Sequence, residues 1–436
     1  MKILKGFSKL SAQEKRRLAV SSCPDPEAAA QELVSFLHPD QAVRELLEGI
    51  SENTISSYPL PYNVAPNFII NGNQYMVPMV TEESSVVAAA SSAARFWAGR
   101  GGFQAEVKDD TKSGQLHFLF TGNTRQLKDS MAEADTWLRD YARPVTQNME
   151  KRGGGIRQIT LKDRTDILDH YFQLHVDFDT RDAMGANFIN SCLEEFAEGL
   201  KAFLREKDDF DEQDYEPLMA ILSNYSDRCV VSVSVSCAPE DLEEATPQLN
   251  AGEFVRRFLM AVRIAEEDVY RATTHNKGVM NGVDAVILAT GNDFRAIEAG
   301  AHAWASRSGQ YRSLSHATLH DNVFTFSLEM PMALGTIGGL TRLHPLAARS
   351  MEILGNPGAQ ELMMIAGAAG LANNFAAVRS LTTTGIQAGH MRMHLSNIIM
   401  QLKATPAEAE QIKAHFRNHK VSYQAVSSYL EQLRAS

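Results

Sequence analysis

Apolar residues recur at helical spacing in several long stretches of the chain and alternate in several shorter ones, a mixture that predicts an α+β protein. Ser11 followed by Glu14 has the spacing of a capping box before Lys15 to Val20, and a second helix is expected to begin near Asp25 or Pro26. From Glu52 to Pro78, prolines, asparagines and short apolar runs predict loops and brief strands. A helix is expected from about Glu83 to Trp97, where Val86, Ala90, Ala94 and Trp97 share one face, a stripe that core packing explains. Ala105 to Thr121 reads as a hairpin centred on Lys112-Ser113-Gly114. Leu127 to Tyr141 is expected as helix, followed by a loop with Arg143-Pro144. Ile156 to Leu161 and Phe172 to Phe178 are expected as strands, and Asp182 to Phe203 as helix. Val230 to Cys237 alternates Val with Ser or Cys, the pattern of a strand with one polar face.

Farther along, Phe254 to Ala272 reads as helix and leads into Thr274-His275-Asn276-Lys277-Gly278, a polar, glycine-bounded turn. Helices are expected from Asp293 to Arg307, Pro345 to Leu354 and Ala359 to Ala377, with a turn-rich strand region after the first. The last sixty residues hold Gly385, Gly389 and Pro406 before a helix-rich tail, which suggests a small C-terminal unit. Residues 105 to 230 form an α+β unit inserted into a more helical body. The local hairpin favours antiparallel pairing over a doubly wound sheet.

The chain has 436 residues and a net charge of −11, which argues mildly against a general nucleic-acid or anionic-membrane binder while leaving room for a local basic pocket. Its four cysteines, Cys23, Cys192, Cys229 and Cys237, make no CxxC pair, so a reduced, cytoplasmic chain is the simpler reading. The start lacks an apolar leader. The run from Val323 to Leu340 contains Glu329 and Pro331 and reads as a buried strand and turn, not a membrane span.

Chemistry is visible in fragments. Glu83 and Asp293 are carboxylates in apolar or glycine-rich surroundings, and a buried Lys277 beside them would form a charge network suited to an oxygen that turns negative during carbonyl reduction. Each alone reads by default as a solvated charge or a structural ion pair. His390 and His394 have helical spacing, but no HExxH pattern or third ligand accompanies them, so no metal is expected. No G-x-S-x-G elbow and no G-x-G-x-x-G fingerprint occurs. Asp182-Ala183-Met184-Gly185-Ala186-Asn187 places a glycine at a helix start, where free amides can receive phosphate.

Taken in order, Glu52-Asn53, Asn67 to Gly72, Val77-Pro78, Glu82 to Ser85, Asp182 to Asn187, Thr274 to Gly278, Gly291-Asn292-Asp293 and Gly385 to Met391 resemble the motifs of class II hydroxymethylglutaryl-CoA reductases, from roughly residue 5 to residue 430. The resemblance implies a mainly helical large substrate domain (1–108 and 220–376), an inserted small α+β cofactor domain (109–219) and a C-terminal helical flap (377–436). It implies two hydride transfers between hydroxymethylglutaryl-CoA and mevalonate plus CoA, through mevaldyl-CoA and mevaldehyde. A homodimer with active sites at the interface, or a larger assembly of such dimers, comes with it.

On that mapping Lys277 is the electrophilic residue, Glu83 exchanges the proton at the aldehyde or alcohol oxygen, Asp293 tunes both, and His390 protonates the departing CoA thiolate. Ser85, Arg271, Thr274, Asn281, Asn374 and His394 correspond to positions that hold the hydroxymethylglutaryl portion. Asp182, Ala183, Met184, Gly185, Ala186, Asn187 and Asn224 correspond to cofactor positions. Ser84 stands where Pro is common, Asn63 where Gly is common, and Asn373 where Gln is common. The stretch 144 to 149 has no clear acidic selector for NAD, which leaves NAD and NADP open and leans to NADP. Other readings are a CoA-linked oxidoreductase for a different branched acyl group and a binding-only paralogue. Retention of Glu83, Lys277, Asp293 and His390 together argues against the second.

Overall fold

The computed structural model describes residues 3–246, 249–383, 395–396, 398–416, 419 and 421–435. The chain divides into two units, Met1–Tyr62 and Asn63–Ser436. In the first, a short 3-10 helix (Phe7–Lys9) precedes α1 (Ala12–Ala19), α2 (Pro26–Ser35) and α3 (Gln41–Gly49). The Ser11–Glu14 capping box is formed reciprocally, and the Asp25 carboxylate accepts from the Ala28 N–H to start α2 at Pro26. Arg16 donates to the Ile55 carbonyl at 3.2 Å and Ser56 to that of Leu33 at 2.6 Å, so the loop after α3 folds back on the first two helices. The sequence reading did not anticipate α3, although Asp40 caps it.

The second unit opens with a two-stranded sheet of β1 (Tyr62–Ile70) and β2 (Asn73–Val80), then α4 (Val86–Ala98). A four-stranded sheet follows the spatial order β3-β8-β10-β9, with β3 (Gln104–Asp110), β8 (Cys229–Cys237), β9 (Ser315–His320) and β10 (Val323–Pro331). Val231, Val233 and Val235 lie opposite Met330, Leu328 and Phe326, and all six are buried. That is the inward row of the Val/Ser alternation. Over it lie α9 (Ala251–Glu267), α10 (Val269–Ala289), α11 (Phe294–Ala305), α12 (Gly339–Leu343), α13 (Pro345–Ile353) and α14 (Ala359–Thr382), with most of their apolar faces in one core.

A second four-stranded sheet, ordered β5-β6-β4-β7, is built from β4 (Lys112–Phe120), β5 (Gly155–Asp163), β6 (Tyr171–Asp179) and β7 (Tyr215–Leu222). With α5 (Thr124–Asp129), α6 (Met131–Tyr141), α7 (Arg143–Glu150) and α8 (Ala186–Arg205) it has its own core, in which Leu116, Phe118, Phe172 and Val176 meet Leu193, Phe196 and Leu200. Both four-stranded sheets pair antiparallel. The architecture is therefore α+β, a large mostly helical body with an inserted sheet-containing domain. The C-terminal helices α15 (Pro406–His415) and α16 (Tyr423–Ala435) close a third, small core around Ile412, Phe416, Val426 and Leu430.

Three local expectations fail for identifiable reasons. Ala105 to Thr121 is not a hairpin, because β3 and β4 belong to different sheets and the chain crosses between them at Thr111. Gly114 sits inside β4, where a Cβ would come within 2.6 Å of Leu193 Cδ1 on α8, so its smallness serves packing instead of a turn. Arg143-Pro144 opens α7, with proline in the first turn where its missing N–H costs nothing. Thr274 to Gly278 is no turn either, since Asp268 ends α9 and caps α10, and Lys277 rides in the middle of that helix.

α14 is long and apolar enough to cross a membrane by length and composition, yet 83% of its apolar window is buried inside the fold. It crosses α10 at very short range. A Cβ on Gly282 would lie 2.2 Å from the Ala369 carbonyl oxygen, and one on Gly370 would lie 2.7 Å from Val283 Cγ2. Gly282→Ala is expected to lower unfolding stability by about 1–3 kcal/mol. Gly252→Ala, whose Cβ would meet only Asn250 Oδ1 at 3.6 Å, should be neutral or stabilising. Urea titration of both variants checks this, and equal midpoints would contradict the tight crossing.

Candidate active site

The turn between β2 and α4 carries Glu83. Its N–H donates to Thr81 Oγ1 at 3.1 Å, and Ser85 closes the turn at φ 76 before α4 begins at Val86. That left-handed residue is why the helix starts after Glu83 and not at it. From α10, the Lys277 ammonium donates to Glu83 Oε2, joining residues 194 positions apart in sequence. The pair is not buried in the single chain: the side chains are 57% exposed for Lys277 and 35% for Glu83. Asp293 is engaged elsewhere. It caps α11 by accepting from the Arg295 and Ala296 N–H groups and pairs with the Arg295 side chain. Among the described residues no hydrogen bond links it to Lys277 or Glu83.

Arg271, Thr274 and Asn281 share α10 with Lys277 at helical spacings. Partial burial lowers the Arg271 pKa from its ordinary value. Thr274 is exposed and its hydroxyl donates back to the Tyr270 carbonyl at 3.2 Å. Asn374, on α14, is buried and accepts from the Ser315 hydroxyl at 2.7 Å while donating to the His275 carbonyl at 3.1 Å. His390, His394 and the Gly385 to Met391 motif lie outside the described residues.

The Asp182 to Asn187 segment leads into α8. Gly185 occupies the helix N-cap at φ 94, pressed so closely on Thr180 that a Cβ would lie 2.4 Å from Thr180 Cγ2. No side chain caps α8, which leaves its first-turn amides to face an anion. Asp182 itself is spent on architecture, since its carboxylate accepts from the Ala359 N–H at the start of α14 and its carbonyl from Thr336 N. Met184 and Asn224, far apart in sequence, line one cavity together with Lys112, Ile189, Ala296 and Gly300. Ala183, Ala186 and Asn187 complete the turn, Asn187 on its exposed side.

Sequence reasoning missed Lys112, Asp284, His275 and Ser315. Lys112 is buried and donates to Thr180 Oγ1 at 2.6 Å and to the Ala183 carbonyl at 2.7 Å, so it fixes the loop that starts α8. Burial lowers its pKa. Asp284, seven residues beyond Lys277 on α10, faces Glu298 of α11 with Glu82 nearby; burial first and then those two carboxyls raise its pKa far above the carboxylate range. A polar run within an apolar helix was the one available cue for His275.

A carboxyl joined to an ammonium group and, elsewhere in the same unit, a helix start without a side-chain cap are groups that a carbonyl oxidoreductase could use. A family model described as hydroxymethylglutaryl-coenzyme A reductase matches residues 12–395, and the chain belongs to that family. The 3-hydroxy-3-methylglutaryl-coenzyme A reductase of Archaeoglobus fulgidus is 34% identical over 438 residues, covering 99% of this chain and 94% of that protein. The probable enzyme of Borreliella burgdorferi is 31% identical over 411 residues, 92% and 88% of the two chains. A class II 3-hydroxy-3-methylglutaryl-CoA reductase from Streptococcus pneumoniae, solved bound to NADPH in open conformations, superposes with a TM-score of 0.71 at 36% identity. The match covers 88% of this chain and all of that one. The resemblance read from the motifs, to a bacterial-type class II reductase, thus stands.

The Asp284 pair has a pH signature. Folded Asp284 keeps its proton to higher pH than the unfolded chain, so its stabilising contribution is complete at low pH and falls as pH rises from about 4 toward the folded pKa. Asp284→Asn should therefore gain stability over the parent between acidic and mildly alkaline pH. Thermal melts at both ends test this; an identical gap at each would remove the shared-proton account.

Proposed function

We propose that this chain interconverts hydroxymethylglutaryl-CoA and mevalonate plus CoA by two hydride transfers, with Lys277, Glu83, Asp293 and His390 as its reacting groups. The observation that carries the assignment is the Lys277–Glu83 pair, formed between the middle of α10 and the turn before α4. Bound nicotinamide cofactor supplies or receives the hydride. The α8 turn from Asp182 to Asn187 suits that group, because its N-cap glycine leaves an uncapped helix start for phosphate, and Met184 of that turn lines a small cavity with Asn224 and α11. NADPH is the ligand of the Streptococcus pneumoniae relative, which supports a nicotinamide dinucleotide, NADP or NAD, with the reading leaning to NADP.

Lys277 would stabilise the negative oxygen as the thioester carbonyl, and later the aldehyde carbonyl, accepts hydride. Glu83, already sharing a proton-donating contact with Lys277, would give a proton to the aldehyde oxygen or take it from the alcohol. Asp293 would tune the pair electrostatically. His390 would protonate the departing CoA thiolate in reduction and generate it in oxidation. Arg271, with its planar fork on the same helix, suits the free carboxylate of the substrate, alongside Ser85, Thr274, Asn281, Asn374 and His394. No metal enters the scheme.

The domain reading goes with this chemistry: 1–108 with 220–376 for substrate, 109–219 for cofactor, 377–436 as a flap that closes on the reaction. A homodimer with shared active sites is supported by the open side of α10. Tyr270 is 89% exposed there, with Met260, Ile264 and Val269 exposed beside it on α9 and α10. A cytoplasmic setting accords with four free cysteines.

Purified protein with hydroxymethylglutaryl-CoA should consume NADPH, read as loss of absorbance at about 340 nm, with mevalonate as product. Lys277→Ala should reduce turnover by about 10²–10³ on both the thioester and free mevaldehyde. His390→Ala should impair the thioester reaction far more than mevaldehyde reduction. Equal losses on both substrates would count against a separate thiol role.

A further inference from the structure

Directly beneath α10 lies a closed polar cluster in an otherwise apolar core. His275 is 1% exposed, Ser315 and Asn374 are equally buried, and Ser315 begins β9. Their hydrogen bonds determine one another. The His275 carbonyl can only accept, so the Asn374 atom 3.1 Å away must be its amide nitrogen. The Asn374 oxygen then receives the single Ser315 proton at 2.7 Å. With that proton given away, Ser315 Oγ accepts from His275 Nε2 at 2.6 Å, which fixes the histidine as the neutral Nε2–H tautomer. Burial first, then Arg271 and His316, pushes the His275 pKa down to about 3, in keeping with a ring that stays neutral.

Two features set the cluster apart from ordinary core filling. The His275 Nδ1 atom is buried without a hydrogen-bond partner among the described residues, a cost that an apolar side chain would avoid. And the Asn374 amide nitrogen faces the Lys277-Gly278 step of α10: a Cβ on Gly278 would lie 3.6 Å from it. The orientation of Asn374 is thus held from two sides, by the His275 carbonyl that accepts from its amide nitrogen and by the Ser315 hydroxyl, itself oriented by His275 Nε2, that donates to its oxygen.

We propose that His275 and Ser315 are positioning residues that hold the Asn374 amide with its remaining N–H toward the acyl substrate. The inference rests on the substrate role given to Asn374 above. With the Ser315 hydroxyl or the His275 ring removed, the Asn374 oxygen loses its donor, or that donor loses its fixed direction, and the His275 carbonyl alone holds the amide, so its remaining N–H is positioned less closely.

The test is steady-state kinetics of the full-length enzyme with hydroxymethylglutaryl-CoA and NADPH, with thermal melts to confirm folding. Ser315→Ala, which deletes one atom, and His275→Leu should each raise KM for hydroxymethylglutaryl-CoA about five- to tenfold with kcat and KM for NADPH nearly unchanged. His275→Gln keeps a donor near Nε2 and should restore KM. Ser315→Ala with Asn374→Ala together should be no worse than Asn374→Ala alone. A raised KM in Asn374→Ala with a normal KM in Ser315→Ala, or losses that multiply in the double variant, would overturn the relay. A normal KM in Asn374→Ala itself would overturn the substrate role of Asn374, and the relay with it.

Discussion

The close crossing of α10 and α14 is the constraint on which the geometry of the proposed site depends. α10 carries Arg271, Thr274, Lys277 and Asn281, and α14 carries Asn374. The helices meet where Gly282 accommodates the Ala369 carbonyl and Gly370 accommodates Val283. Larger residues at those points would force the axes apart by the thickness of a methyl group and draw Asn374 away from the Lys277-Gly278 step. The alanine-rich character of α14 has the same origin. Its helix is buried on nearly every side, so small residues let α4, α9, α10 and the β3-β8-β10-β9 sheet approach together.

A second constraint sits where the chain enters and leaves the inserted domain. At Thr111 it passes from β3 into β4, and after Leu222 it returns to β8. Arg157 bridges Asp109, Asp110 and Asp179, while Arg228 bridges Asp109 and Asp177. These carboxylates lie on β3 of one sheet and β6 of the other, so the two sheets share counterions at the crossing. Lys112, the first residue after the crossing, reaches the loop that starts α8. The turn proposed for the cofactor is therefore anchored by the same few residues that join the domains. Movement of one should be felt by the other.

Much of this was legible in the sequence wherever local rules decide the outcome. The Ser11–Glu14 box and the Asp25-Pro26 start depend on three or four neighbouring residues, and both formed. The Val/Ser alternation of β8 reported a strand with one buried face. What failed depended on distant partners. Lys112-Ser113-Gly114 has the composition of a turn, but a strand results because α8 needs the space above Gly114. Thr274 to Gly278 looks like a break, but Asn276 and His275 Nε2 bond across the core while Thr274 and Lys277 lie on the exposed side of a continuous helix. The Lys277–Glu83 pair could be named only through the order of motifs, because nothing in either local sequence points to the other.

The half-exposed state of that pair carries a consequence for how the site works. An ammonium–carboxylate contact open to water is worth little as a structural bond and would stabilise a developing oxyanion weakly. The same two groups become effective when water is excluded, because the field of Lys277 is then no longer screened. The isolated chain holds Lys277 and Glu83 together through α10 and the β2–α4 turn, yet leaves one side of them open. On the dimer and flap proposed above, a covering surface from a second subunit and from the C-terminal segment would close that side. The α10–α14 crossing thus fixes where the proposed charges stand, and on that same proposal assembly with closure would determine when they act.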